Sequence, residues 1–261
     1  MIFDSLKDKC YYYRDLADTR LIPNSYIIIM LDGRSFSNKI KNNFEKPFDD
    51  FFVNAMNETA KYLCQHIDGA RFAFVQSDEI SILISDLDLD SPFFQNRTNK
   101  ILSLASSMAT GKFNQIMATR FLTDDKALTK EDVMNQELYE FDCKAWNVPT
   151  PNDVYAWFLF RQIDCVRNSK QQTAQTWLSH KQLNGLKTDE QIRLLEDVKG
   201  IKWEDYPAGV KYGRRIVKNG KELYNEKYGS YSRKTWEIEP APVLFEEDVK
   251  AEFMKSLPKM D

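Results

Sequence analysis

The chain has 261 residues, 43% of them apolar and 29% charged, with a net charge of −3. That size suits one large domain or a domain with an extension, and the balance suits a soluble globular protein with a buried core. No apolar stretch is long enough to span a membrane, two histidines exclude a His-rich metal site, and the N-terminus has no apolar signal core.

Cys10, Cys64, Cys143 and Cys165 are scattered without paired spacing. They read as reduced thiols of a cytosolic protein, not as a zinc site or a disulfide framework. The slight acidity does not advertise nucleic-acid binding, but binding follows local patches rather than totals. The densest basic stretch is "KYGRRIVKNGK", from Lys211 to Lys221, and on charge alone a solvated hairpin explains it equally well.

In chain order, "YIIIML" (26–31) predicts a buried strand with a polar exit at "DGR". Apolar positions from Phe48 to Ile67 recur at helical spacing, with Asp49 and Asp50 suited to the helix N-terminus. "FAFVQSDEISILI" (72–84) belongs to two strands, 71–76 and 80–85, around a turn that carries Ser77, Asp78 and Glu79. Ser91-Pro92 predicts a helix start, running to about residue 120. "FDCKAWNVP" (141–149) predicts a strand stopped by Pro149, and Thr150 or Asn152 caps the next helix. Residues 173–261 read as short helices and a basic hairpin, with Pro240 and Pro242 at the last turn. The order strand, helix, strand, strand, helix, strand is the α+β, ferredoxin-like split βαβ pattern, βαββαβ.

That topology places strand 1 between strands 3 and 4 and antiparallel to strand 3. Asp32 at the end of strand 1 then meets Asp78 and Glu79 at the start of strand 3. Carboxylates gathered at one sheet edge repel unless a cation neutralises them. All-oxygen ligands suit magnesium completed by substrate phosphates, and two such ions support phosphoryl transfer. "DGRSFS" (32–37) adds a candidate phosphate cradle, with Gly33 allowing close backbone approach. Arg34 and Lys46 are nearby cations. Each motif alone has a plainer reading. Asp-Gly after a strand is commonly a turn, Asp-Glu in a hairpin a solvated tip, and Arg97 and Lys100 a solvated helix face. Met108, Met117 and the aromatic residues of 155–160 read as core. Arg161 and Asp164 read as a structural pair on one helix.

The motifs "LDGRSF", "FEKPFD", "VQSDEISIL", "FDCKAW.VP" and "RQIDC", in that order, resemble the tRNA-histidine guanylyltransferase family and its relatives, the 3′-to-5′ nucleotide-adding polymerases. The resemblance covers about residues 3 to 220. It implies a polymerase-like palm in residues 1–150, with residues 151–261 as a helical and hairpin extension packed on it. It implies two magnesium ions held by Asp32, Asp78 and the carbonyl of Gly33, with Glu79 completing the catalytic acids. The incoming nucleotide would touch Asp32, Gly33, Arg34, Ser35, Phe36, Ser37, Ser77 and Asp78, and Lys46 would assist the activating ATP or GTP. Arg97, Lys100, Lys211, Arg214 and Arg215 would contact triphosphate or RNA. A cytoplasmic homotetramer acting on tRNA, away from membranes, is implied with it.

Two departures narrow the resemblance. The family's His-Ile-Asn-Asn-Leu-Tyr-Asn stretch is "VRNSKQQ" (166–172) here, with Val166 in place of His. Ser37 also stands where the family carries His. These departures disfavour untemplated addition of G to tRNA-histidine. They are similar to the guanylyltransferase-like branch that repairs 5′-truncated tRNAs by copying the opposite strand. Alternatives are the tRNA-histidine enzyme itself, a nucleotide cyclase with the same paired acids, or a silent RNA-binding module.

Overall fold

The computed structural model describes residues 4–40, 44–87, 89–120, 129–135, 137–225, 227 and 229–259. An N-terminal helix α1 (Leu6–Asp15) precedes strand β1 (Tyr26–Gly33), the short helix α2 (Phe36–Ile40) and helix α3 (Asp50–His66). The hairpin β2 (Ala70–Gln76) and β3 (Glu79–Ser85) follows, then α4 (Thr98–Arg120), α5 (Lys130–Met134) and β4 (Phe141–Val148). The long helix α6 (Pro151–Trp177) leads to α7 (His180–Leu183), α8 (Thr188–Lys199) and α9 (Ala208–Lys211). A second hairpin, β5 (Arg214–Asn225) and β6 (Gly229–Pro240), and α10 (Glu247–Ser256) complete the described chain.

One six-stranded sheet runs in the order β4-β1-β3-β2-β5-β6. β1 lies between β3 and β4 and is antiparallel to both. The two hairpins are fused edge to edge, because β2 pairs with β5. β1 is almost continuously apolar because helices cover both its faces. Ile27, Ile29 and Leu31 enter a core with α3 and α4. Tyr26 and Ile28 face the opposite way, into a core with α6 and the tail around Ala241, Leu244 and Leu257. A third cluster joins the end of α6 to α7 and α8 through Ala174, Leu178, Leu183, Ile192 and Leu195.

The helix starts follow their caps. Asp49 accepts from the Phe52 amide at 2.8 Å, so α3 begins at Asp50 rather than Phe48. Thr150 caps α6, with Pro151 at its first position. The expected start at Ser91-Pro92 is corrected. Residues Phe93–Asn96 form a 3-10 turn in which Phe94, Gln95 and Asn96 take left-handed φ values of 49°, 54° and 57°. Tertiary bonds hold that turn: the Asn96 carbonyl receives the Leu21 amide, and its side chain donates to buried Asp86. α4 therefore starts at Thr98. Met117, Tyr155 and Phe158 are buried as expected, while Phe160 stands half exposed. None of the described helices is long and apolar enough to cross a membrane. The four cysteines are free thiols.

Candidate active site

The β1–β3 register brings the expected acids to one end of the sheet. Asp32 is the partner of Glu79, and of Asp142 on its other side. Ser77 and Asp78 form the two-residue turn between β2 and β3, with Ser77 at a left-handed φ of 43°. The Gly33 amide donates to the Asp78 carbonyl at 3.1 Å. Asp32 shares the parity of Tyr26 and Ile28, so its carboxyl belongs to the α6 face of the sheet.

Electrostatics mark this corner. Burial first, then the charges of Asp78, Asp142 and Glu79, push the Asp32 carboxyl up to about 6, while Lys144 acts the other way. Burial also raises Asp78, against a hydrogen bond with the Ser77 side chain. Acids that resist ionisation together are relieved by a cation. Among the described residues no group of three or more His, Cys, Asp or Glu side chains could hold a metal ion. The donor set is a pair of carboxylates, Asp32 and Asp78. Magnesium commonly takes one or two carboxylates and completes its shell with water and substrate phosphates, so the pair fits.

Glu79 stands apart from that pair. Both its oxygens are taken by Arg161 of α6, Nε to Oε1 at 2.8 Å and Nη2 to Oε2 at 2.6 Å. Burial pushes Glu79 up and the guanidinium pulls it back. Glu79 is therefore an occupied carboxylate rather than a third open one. The sequence pointed to Arg161 only as a partner of Asp164, which it also holds. Its grip on Glu79 joins residues 82 apart, and no local pattern signals it.

The expected phosphate cradle is partly used by the sheet. The Gly33 amide goes to Asp78, and the Arg34 amide donates to the Glu140 carbonyl at 2.8 Å. Any cradle thus begins at Ser35, which has a left-handed φ of 57°. Ser35, Ser37 and Arg34 are exposed, and Arg34 pairs with Glu140 at 3.0 Å. Phe36 points inward instead, fully buried against Phe52, Phe113, Tyr139 and Phe141. Its side chain anchors the loop in the core.

Exposed Lys46 opens onto a cleft of about 70 Å³ whose walls include Gln76, Ser77, Asn168, Gln172 and Arg214. Arg214 was expected on an exposed basic hairpin and is instead buried. Its Nε donates to Asn57 at 2.9 Å, and burial lowers it to about 10. Arg215 faces the other side and pairs with Glu239 at 2.9 Å. Lys211 donates to the Glu204 carbonyl beside Trp203. These three do not line one open cationic strip, because Lys211 ends α9 while Arg214 and Arg215 face opposite sides of β5 inside the sheet. Exposed Arg97 pairs with Asp18 at 2.9 Å, and exposed Lys100 lies over the Phe94 ring.

A sequence profile described as tRNAHis guanylyltransferase matches residues 9–149, more than half of the chain. An uncharacterized protein of Acanthamoeba polyphaga mimivirus is 29% identical over 232 residues, covering 84% of this chain and 78% of that protein. A bacterial tRNA(His) guanylyltransferase-like protein in complex with ATP superposes with a TM-score of 0.81 at 29% identity, covering 97% of this chain and 99% of that one. A complex of such a protein with GTP gives a TM-score of 0.76 at 30% identity, covering 96% and 99%.

Proposed function

The chain belongs to the tRNAHis guanylyltransferase family, whose members are nucleotidyltransferases, and on that premise we propose that it repairs tRNA by adding nucleotides to the 5′ end, in the 3′-to-5′ direction and under the direction of the opposite strand. The observation that carries nucleotidyl transfer is the convergence of Asp32 and Asp78 at adjacent strand ends. The ATP and GTP complexes of the superposing bacterial proteins support nucleotide substrates. Val166 in place of the family's His favours templated repair over untemplated addition of G.

In this reading residues 1–150 work as a polymerase-type palm, and residues 151–261 are an extension packed on it. Asp32 and Asp78, with the Gly33 carbonyl, would hold two magnesium ions. When bound, these supply charge stabilisation for the attacking and departing oxygens. Lys46, at the mouth of its cleft, neutralises the phosphates of the activating ATP or GTP. A 5′-monophosphate attacks the α-phosphorus of that nucleotide and pyrophosphate leaves. The 3′-hydroxyl of the incoming nucleotide then attacks the activated 5′ phosphorus, and the activating nucleoside monophosphate leaves. A 5′-triphosphate end skips the first step and releases pyrophosphate in the second. Base pairing selects the nucleotide, so the protein needs shape and phosphate recognition more than base readout. A cytoplasmic homotetramer is proposed on the family resemblance.

The test uses a tRNA lacking its first nucleotide and carrying a labelled 5′-triphosphate, with magnesium and each nucleoside triphosphate in turn. Addition of only the pairing nucleotide, lost in Asp78→Ala, establishes templated repair. Addition of G whatever base lies opposite assigns untemplated guanylyl transfer instead. RNA binding without addition of any nucleotide sinks the enzyme reading.

A further inference from the structure

Arg161 is buried together with the two acids it holds. The Arg161, Glu79 and Asp164 side chains are 11%, 8% and 14% exposed. Its Nε and Nη2 take both oxygens of Glu79, and its Nη1 donates to Asp164 at 2.8 Å. The other oxygen of Asp164 receives Arg167 at 2.8 Å. A buried ion pair of this kind is weak evidence for stability, because desolvation offsets much of the attraction. Its secure product is geometry, since a planar guanidinium fixes a carboxylate in two places at once.

The position of Glu79 gives that geometry a use. Glu79 follows Asp78 directly and is the cross-strand partner of Asp32. The Asp78 turn is held on one side by the Gly33 amide on its carbonyl. On the other side Arg161 ties Glu79 to α6, and α6 also contributes Asn168 and Gln172 to the Lys46 cleft. A two-residue turn with one member in a left-handed conformation has little slack. We propose that Arg161 is a positioning residue: by fixing Glu79 it sets the spacing of the Asp32 and Asp78 carboxylates, so that both face one divalent cation. Glu79 acts through this bond rather than as a cation ligand. The cation's role rests on the nucleotidyl-transfer reading above, but its binding is measured separately.

The experiment titrates Mn2+ into the free full-length protein by electron paramagnetic resonance, for wild type, Arg161→Lys and Glu79→Gln. Turnover and thermal melting are followed in parallel. Lys keeps the charge but loses the fork. Expected are Mn2+ affinity and kcat about tenfold or more below wild type in both variants, with KM for the nucleotide little changed and the melting temperature lowered but still above the assay temperature. Folded variants that bind Mn2+ and turn over within about twofold of wild type overturn the proposal, because supporting shells that orient ligands normally cost more when broken. If Arg161→Lys does not fold, Glu79→Gln decides by the same criterion. If wild type binds Mn2+ but adds no nucleotide, the functional reading fails, and the Mn2+ titration alone decides the role of Arg161.

Discussion

The amide of Gly33 and the carbonyl of Asp78 lie 3.1 Å apart, continuing the β1–β3 ladder one step past its last pair, Asp32 with Glu79. That bond is what makes two acids from distant parts of the chain share a corner. It needs a residue at position 33 whose backbone can run tight against its own loop. Gly33 is such a residue, since an added Cβ would lie 2.5 Å from the Phe36 ring.

Gly33→Ala is therefore expected to destabilise the fold. Phe36 cannot yield, being enclosed by four aromatic rings. Overpacking of this kind costs about 1–3 kcal/mol, read as a lower urea midpoint. A Gly33→Ala protein as stable as wild type would show that the ring has room to move.

Asp32 predicts a pH signature in metal-free protein. Its folded value is about 6 against an ordinary 3.8, so the folded state binds a proton that the unfolded state has released. The contribution of Asp32 to stability is thus present at low pH and falls as pH rises through that window. Asp32→Asn should melt higher than wild type at pH 7.5 in chelator and converge with it near pH 4. Magnesium should then raise the melting temperature of wild type but not of the variant. A variant that melts below wild type in chelator at pH 7.5 contradicts the crowding of acids described here.

Lys46→Ala should separate the two routes into the reaction. With 5′-monophosphate tRNA, the KM for activating ATP should rise about tenfold, the scale of one hydrogen bond to a charged group. With 5′-triphosphate tRNA, which needs no activation, steady-state rates should match wild type. An equal loss on both substrates would place Lys46 elsewhere in the cycle.

Gln162 ties the tail to α6. Fully buried, it donates to the Tyr212 and Pro242 carbonyls at 3.0 and 2.8 Å and accepts from the Leu244 amide at 2.6 Å. Gln162→Leu keeps much of the volume and strands three backbone groups, each worth about 1–3 kcal/mol when buried unpaired. Hydrogen exchange at residues 241–257 should accelerate far more than in β1 and β3. Unchanged exchange in the tail would mean that other contacts suffice to hold it.

The parts of this fold that speak in the sequence are those with one dominant local cause. The apolar run of β1 and the helical spacing of α3 appear where their patterns place them, and of the two caps offered for α6 Thr150 is the one used. Other parts lack such a cause. Helix α1 has no buried residue, so it has no apolar stripe to read. The start of α4 is displaced because Asn96 is bonded to Leu21 and Asp86, residues that no window around it contains. The basic run at 211–215 looked like a solvated strip, yet pairing of β5 with β2 and β6 turns Arg214 toward Asn57 and Arg215 toward Glu239. The Asp32–Asp78 corner was legible because strand order follows from element order. The Arg161–Glu79 bond was not, because it depends on how a helix lies across a sheet.

The fusion of the two hairpins also orders events in time. β2 meets β3 as soon as a short turn is made, but its other edge waits for Arg214 to Val217. During synthesis, most of the chain must leave the ribosome before Phe72–Val75 gain their second neighbour. Until then these apolar residues present an open edge, the kind of surface at which nascent chains pair wrongly. The late hairpin thus closes a window of vulnerability, and a chain halted before it would carry every acid of the corner on a sheet still prone to aggregate.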